Sequence, residues 1–402
     1  MCGRLSIFTF AFSEFKVRDN TRKLNYKGNF MERPPLKNAT RVVHAGKPKS
    51  VQGASFLPGV TFAGPFHAAG DPAKVPHAYG RFHNPTWTNY ERALGELEGG
   101  TALVFASGMA AAAAVFGTLL KPGDVLVMPS DCYYTARMLA AGFFTQTGVV
   151  VRQAATANDA QATLLDGARL LWLESPSNPG LDVCDIRALA TAAHANGAVV
   201  AVDNTTATML GQAPLALGAD ISAASDTKAL TGHADLVLGH LAVRDSALAD
   251  RLRTWRTQMG AVPGPMEVWL AHRSLATLEL RMERQQKNAL AIAEFLSSRP
   301  VVTGLRYPGL PNDPAHQIAS KQMRWFGPVV SFVLPERTRA ERFLAACELI
   351  TEATSFGSVH TTAERRARWG GDAIPEGFIR LSAGCEAVED LIADLEQALQ
   401  RM

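Results

Sequence analysis

The chain has 402 residues, with 40 Lys plus Arg against 37 Asp plus Glu, a net charge of +3, and 47% hydrophobic against 19% charged residues. That length holds two or three domains, the hydrophobic fraction excludes a disordered chain, and the near balance of charge excludes a surface dedicated to nucleic acid. Five cysteines (Cys2, Cys132, Cys184, Cys347, Cys385) show no C-x-x-C spacing, and no apolar run approaches the ~20 residues of a membrane span, so a cytoplasmic protein without disulfide framework, zinc site or membrane partner is expected.

Residues 1–38 read as an arm. Between Gly53 and Pro85 glycine and proline recur too densely for a long helix, so residues 1–85 are expected to combine that arm with an extended segment. Thr86 to Leu97 then reads as a helix stopped by Gly99-Gly100, and Ala102 to Ala106 as a buried strand. Ser107-Gly108 opens a second helix, Met109 to Leu120, ended by Lys121-Pro122-Gly123. Further strands at Val125 to Met128, Leu170 to Leu173, Val199 to Val202, Ile221 to Ala224 and Val237 to Val243 have helices such as Ile186 to Ala195 between several of them. Short apolar strands alternating with helices predict an α/β domain, here residues 86–275, with a mostly parallel sheet covered on both faces and its site beyond the carboxyl ends of the strands. Over 276–402 the pattern changes to a smaller α+β domain: a long helix through Phe295, a strand at Val329 to Val333, and helices at Arg339 to Cys347 and Val388 to Leu399.

The chemistry concentrates at Ser225-Asp226-Thr227-Lys228, just past a predicted strand. A lone lysine there is ordinarily solvated, but two hydroxyls flanking it suit a phosphorylated aldehyde cofactor, the amine forming a Schiff base while Ser225 and Thr227 hold phosphate. Asp203 ends another strand; as a turn residue it would be unremarked, yet beside such a lysine it can pair with the pyridine nitrogen of pyridoxal phosphate. Ser107-Gly108-Met109 at a strand-to-helix junction offers free amides to an anion, although small residues open many helices. Tyr79-Gly80-Arg81 adds a guanidinium, whose donor fork suits phosphate. The 10 histidines include no H-E-x-x-H or Cys/His cluster, and no P-loop or strand-linked G-x-G-x-x-G is present.

From Thr40 to the C-terminus the motifs fall in one recognisable order: Tyr79-Gly80-Arg81-Phe82-His83-Asn84-Pro85-Thr86, Leu97-Glu98-Gly99-Gly100, Phe105-Ala106-Ser107-Gly108-Met109-Ala110, Glu174-Ser175-Pro176-Ser177-Asn178-Pro179, Val202-Asp203-Asn204-Thr205, Ser225-Asp226-Thr227-Lys228 and Ile379-Arg380-Leu381-Ser382-Ala383-Gly384-Cys385-Glu386. In this order they resemble the cysteine and methionine metabolism family of pyridoxal-phosphate enzymes, the group of cystathionine γ-lyase, γ-synthase and β-lyase. The resemblance implies fold type I, with a seven-stranded, mostly parallel sheet, and a homotetramer built of catalytic dimers acting on a sulfur amino acid. It casts Lys228 as cofactor lysine and proton shuttle, and Asp203 as partner of the pyridine nitrogen. Ser225, Thr227, Gly108 and Met109 become phosphate ligands, joined by Tyr79 and Arg81 from the neighbouring subunit. Tyr133 is the implied ring-stacking residue and acid, and Arg380, Asn178 and Ser355 the holders of the substrate α-carboxylate.

Some positions depart from the family pattern. The text Tyr133-Tyr134-Thr135-Ala136-Arg137 is one residue short and lacks the usual glycines, which makes Tyr134 a rival for the Tyr133 role, and the cysteine usual near this point in methionine γ-lyases is missing. Ala229 replaces a bulkier residue, and His360 replaces a glutamate, which puts it at the distal substrate pocket; Arg365 and Arg368, three apart, would share a face and grip a distal carboxylate if the segment is helical, or else belong to a solvated basic loop. The wording from Val359 to Trp369 resembles bacterial cystathionine γ-lyases. The expected reaction is therefore α,γ-elimination of cystathionine; γ-replacement on an activated homoserine, β-elimination, and a silent cofactor-binding regulator are the alternatives.

Overall fold

In the computed structural model, residues 36–71 and 74–402 are described; the arm expected over residues 1–38 lies almost wholly outside them. Seven strands, β1 (Thr101–Phe105), β2 (Val125–Pro129), β3 (Val150–Ala154), β4 (Ala168–Glu174), β5 (Val199–Asp203), β6 (Ile221–Ala224) and β7 (Gly239–Val243), form one sheet in the order β1-β7-β6-β5-β4-β2-β3. All pairings are parallel except those of β7, antiparallel to both β1 and β6.

Side chains alternate across the pleat, so Leu103, Phe105, Leu126 and Met128 meet the helices Gly108–Leu119 and Ser246–Met259 on one face. Val104 meets Pro85–Glu98 on the other, where Leu171 and Val200 meet Ile186–Ala195. Burial on both faces explains why these strands read as continuous apolar runs. The sequence passed over β3, an edge strand whose Val150 is exposed and whose Arg152 and Gln153 break the apolar run.

The C-terminal part holds more strand than the sequence suggested. Besides β9 (Val329–Val333), a second sheet contains β8 (Thr303–Arg306), β10 (Thr351–Glu352), β11 (Thr362–Arg365) and β12 (Phe378–Ser382), ordered β10-β11-β12-β9-β8. Helices Leu278–Ser297, Arg337–Ala346 and Val388–Arg401 supply its core. Residues 37–402 form one compact unit. The helix Leu278–Ser297 links the two sheets: Arg281 donates to the carbonyls of Ala229 and Leu230, Gln285 to those of Gly357 and Ser358, and Asn288 to that of Gly384. It thereby ties the turn after Lys228 to the segment carrying Ser355. Among the described residues no helix is long and apolar enough to cross a membrane.

Candidate active site

A cavity of about 340 Å³ opens beyond the carboxyl ends of β4, β5 and β6. Eleven of the residues expected from sequence share its lining with Ser107: Gly108, Met109, Tyr133, Asn178, Asp203, Ser225, Thr227, Lys228, Ser355 and Arg380, with Tyr134 as the stated rival of Tyr133. They come from positions spread across most of the chain, brought together by the parallel strand ends and by β12.

Lys228 Nζ donates to Ser355 Oγ at 2.6 Å and sits 5.2 Å from the Phe356 ring centre. Burial, with Arg380 nearby, lowers its pKa to about 8, so a substantial neutral fraction exists at mildly alkaline pH. Ser355 adopts a left-handed backbone (φ 77°), unusual for a residue with a side chain, which offers its hydroxyl to Lys228 and its carbonyl to Arg380. Gly357 makes that approach possible: its φ is 84°, and a Cβ there would lie 2.5 Å from the Ala229 nitrogen. Ala229 is therefore the small residue on which the Ser355 segment rests.

The loop bearing Lys228 is fixed from below. Asp226 accepts from Tyr90 Oη at 2.9 Å and pairs with His240 Nδ1 at 2.5 Å, while His240 Nε2 lies 3.1 Å from Glu98. Burial alone would lower the His240 pKa, but Asp226 and Glu98 override it and raise it to about 10. The site thus stands on a buried imidazolium between two carboxylates.

Asp203 and Glu174 are register partners at the ends of β5 and β4. Burial pushes both carboxyls up, and Asp203 adds to the effect on Glu174. Glu174 accepts from the Tyr133 amide at 2.7 Å and the Asn178 amide at 2.8 Å, which fixes two further lining residues. The Asp203 bonds, from Thr205 N (3.0 Å) and Oγ1 (2.5 Å), both fall on Oδ1. Its other oxygen remains for a cationic N–H.

Arg380 is buried, and burial lowers its pKa to about 10 although Glu364 works against that. Three of its five N–H donors are committed, to Asn178 Oδ1 (2.7 Å), Ser355 O (2.9 Å) and Glu364. Nε–H and one Nη1–H stay uncommitted among the described residues, donors left for a carboxylate. Glu364 is fully subscribed: Arg380 and Arg366 share Oε1, Trp369 Nε1 and Arg368 share Oε2.

Three expected residues lie elsewhere. Tyr79 is exposed, and Arg81 donates to Thr257 O at 2.7 Å and stacks near Phe82, so neither lines the cavity of its own chain. His360 is also exposed and off the cavity, a correction to its expected place at the distal pocket. The neighbours of His360 are pinned, Val359 between Gly232 and Cys385 and Thr361 on the Glu386 carboxylate, and that turns the imidazole outward. Arg365 and Arg368 do not share a helix either: Arg365 ends β11 against Glu341 and Glu376, and Arg368 pairs with Glu352. The arginine that reaches the cavity is Arg366, with Trp369. Sequence reasoning missed it, because nothing in Glu364-Arg365-Arg366-Ala367-Arg368 tells which guanidinium turns inward. It also missed Glu174, whose only signal was its place at the head of the Glu-Ser-Pro-Ser-Asn-Pro motif.

A model of the Cys/Met metabolism PLP-dependent enzymes matches residues 39–400. The chain belongs to that family. Among its relatives, a Streptomyces coelicolor protein provisionally named cystathionine gamma-lyase is 58% identical over 90% of this chain and 93% of its own. Cystathionine gamma-synthase of Mycobacterium tuberculosis is 39% identical over 90% and 96%. The crystal structure of cystathionine gamma lyase from Micromonospora echinospora aligns with a TM-score of 0.86 at 37% identity, covering 91% of this chain and 100% of that one.

The residues in the cavity fit pyridoxal phosphate. A Cβ at Gly108 would lie 2.7 Å from Ser225 Cβ, so glycine lets the helix N-terminus close onto Ser225 and form a cradle. Ser107 takes up the amides of Ala110 and Ala111, which leaves those of Gly108 and Met109 for phosphate. The Thr227 hydroxyl is engaged with both backbone groups of Leu238 and would have to share its bonds. Lys228 supplies the amine and Asp203 Oδ2 the acceptor for a pyridinium.

Proposed function

We propose that this protein cleaves cystathionine between the γ-carbon and sulfur, consuming one water and yielding cysteine, 2-oxobutanoate and ammonia. The observation that supports this reading most is the convergence of Lys228, amine pKa about 8, with Arg380, which keeps two donors uncommitted, in one cavity. One side chain moves a proton and the other holds an amino acid by its carboxylate. The γ-lyase name of the 58%-identical relative favours elimination over replacement.

Pyridoxal phosphate held by Lys228, Asp203, Ser225 and the Gly108 and Met109 amides would supply an electron sink for the charge left when a carbon acid loses its proton. Arg380 and Asn178 orient the α-carboxylate and thereby point the Cα–H bond. Lys228 removes that proton, its pKa placing it near the working pH of a general base, and Ser355 Oγ holds the amine in line. Tyr133, whose backbone amide Glu174 holds, serves as the acid toward the departing sulfur.

Tyr79 and Arg81 face outward together with exposed Phe56, Phe62 and Phe82. This supports a dimer in which they serve the neighbour's phosphate, and assembly of two such dimers into a tetramer.

Purified holoenzyme given cystathionine tests the reading. Cysteine plus 2-oxobutanoate is expected; homocysteine plus pyruvate would assign β-elimination. Cystathionine formed from cysteine and O-acetyl- or O-succinylhomoserine at a higher rate than it is cleaved would assign the synthase.

A further inference from the structure

Arg366 opens the short 3₁₀ turn Arg366–Trp369 after β11 and lines the cavity, although its side chain is buried. Among the described residues two of its five donors are used: Nη1 reaches Glu364 at 3.3 Å and Nη2 reaches Asp372 at 2.8 Å. Neither acceptor belongs to Arg366 alone. Glu364 also takes Arg380, Arg368 and Trp369, and Asp372 also takes Arg137 at 2.7 Å. Arg366 Nε is buried without a hydrogen-bond partner among the described residues, so Nε–H and one hydrogen on each Nη stay uncommitted.

The surroundings locate this guanidinium relative to the reacting end. It shares the Glu364 Oε1 atom with Arg380, so the two cations stand on one wall, a single carboxylate apart. It lies 5.9 Å from the centre of the Tyr134 ring, which rests on Gly371, where a Cβ would approach the ring to 2.9 Å. Tyr134, Arg366 and Trp369 therefore form a polar, aromatic wall beyond the α-carboxylate grip.

We propose that Arg366 is a specificity-determining residue that receives the distal carboxylate of a substrate with two amino-acid ends, while Arg380 holds the near one. The assignment rests on the cystathionine reading and adds the residue that separates such a substrate from one ending in a neutral group. The planar fork matters: lysine keeps the charge but offers no bidentate pair.

The test compares cystathionine with O-acetylhomoserine, which lacks the distal amino acid, in holoenzyme carrying Arg366→Gln or Arg366→Lys. The ratio of kcat/KM for cystathionine over the ester should fall at least tenfold in Arg366→Gln, mainly through KM, and by less in Arg366→Lys. Calorimetric titration of the Lys228→Ala holoprotein, with and without Arg366→Gln, separates binding from turnover. Cystathionine affinity should drop tenfold or more, whereas norvaline, ending in a methyl group, should lose under threefold. Equal losses for both ligands in both variants would overturn the proposal and leave Arg366 as a support for Glu364. Should wild type bind cystathionine through Arg366 yet fail to cleave it, the reaction assignment falls and the distal site stands.

Discussion

The imidazolium beneath the Lys228 loop makes a quantitative statement about stability and pH. His240 is fully buried between Asp226 and Glu98, and its pKa rises from 6.5 to about 10 on folding. A folded pKa above the unfolded one means that the native state binds the proton more tightly, so this contribution is complete below about pH 6.5 and disappears as pH climbs through about 10. About 1.4 kcal/mol attaches to each pH unit inside that window, or about 5 kcal/mol across it and about 3 kcal/mol between pH 7 and 9. Urea unfolding of wild type and His240→Gln, followed at pH 6, 7, 8 and 9, reads it. The variant should be less stable throughout, since two carboxylates lose their cation, but its deficit should shrink as pH rises. Lys228 titrates in the same range with the opposite sign, its folded pKa of about 8 lying below 10.5, so its contribution grows with pH. It is common to both proteins and cancels in the difference. Parallel profiles from pH 7 to 9 would mean that His240 carries the same proton affinity folded and unfolded, and the charged-network argument would fail.

Other perturbations address the site directly. Borohydride should fix the cofactor on Lys228 in wild type, located by peptide mapping, whereas Lys228→Ala should keep a cofactor absorbance through Asp203 and the Gly108–Met109 cradle while turnover drops by several orders of magnitude. Label on another lysine would remove the basis of the assignment. Mixing inactive Arg81→Ala with inactive Lys228→Ala subunits should restore activity, because a mixed dimer then holds one intact site; no recovery after proven subunit exchange would place Arg81 in its own chain's site. Gly357→Ala should cost at least about 1–2 kcal/mol from the left-handed backbone alone, and more from the collision with Ala229. Thermal unfolding reads that loss, and a fall in kcat/KM beyond it would report the displaced Ser355–Lys228 contact.

The parallel sheet was legible because its strands are buried on both faces: β2, β4 and β5 are apolar runs bounded by turns, and the end of β5 predicts where Asp203 must lie. The second sheet was not, and β12 shows why. Phe378-Ile379-Arg380-Leu381-Ser382 is buried throughout, yet a charge stands at its centre. A local pattern cannot reveal that this charge is compensated by Glu364 on β11, Arg380's register partner across the ladder.

The same limit explains the distal wall. Arg365, Arg366 and Arg368 are equivalent on paper, and helical spacing would pair the outer two. The chain instead leaves β11 at Arg365 and turns through a 3₁₀ step, which separates their directions: Arg365 goes to Glu376, Arg368 to Glu352, and Arg366 inward to Asp372 and the cavity. What selects the inward residue is the position of the acids, set by elements far along the chain. Asp372 is itself tied to Arg137 in the helix that follows Tyr133. The shortened loop at Tyr133 and the arginine run Arg365–Arg368, which the sequence presents as unrelated features, meet through that one carboxylate. A substrate's distal end would be read by both at once, and a substitution in either should therefore change the other's contribution rather than add to it.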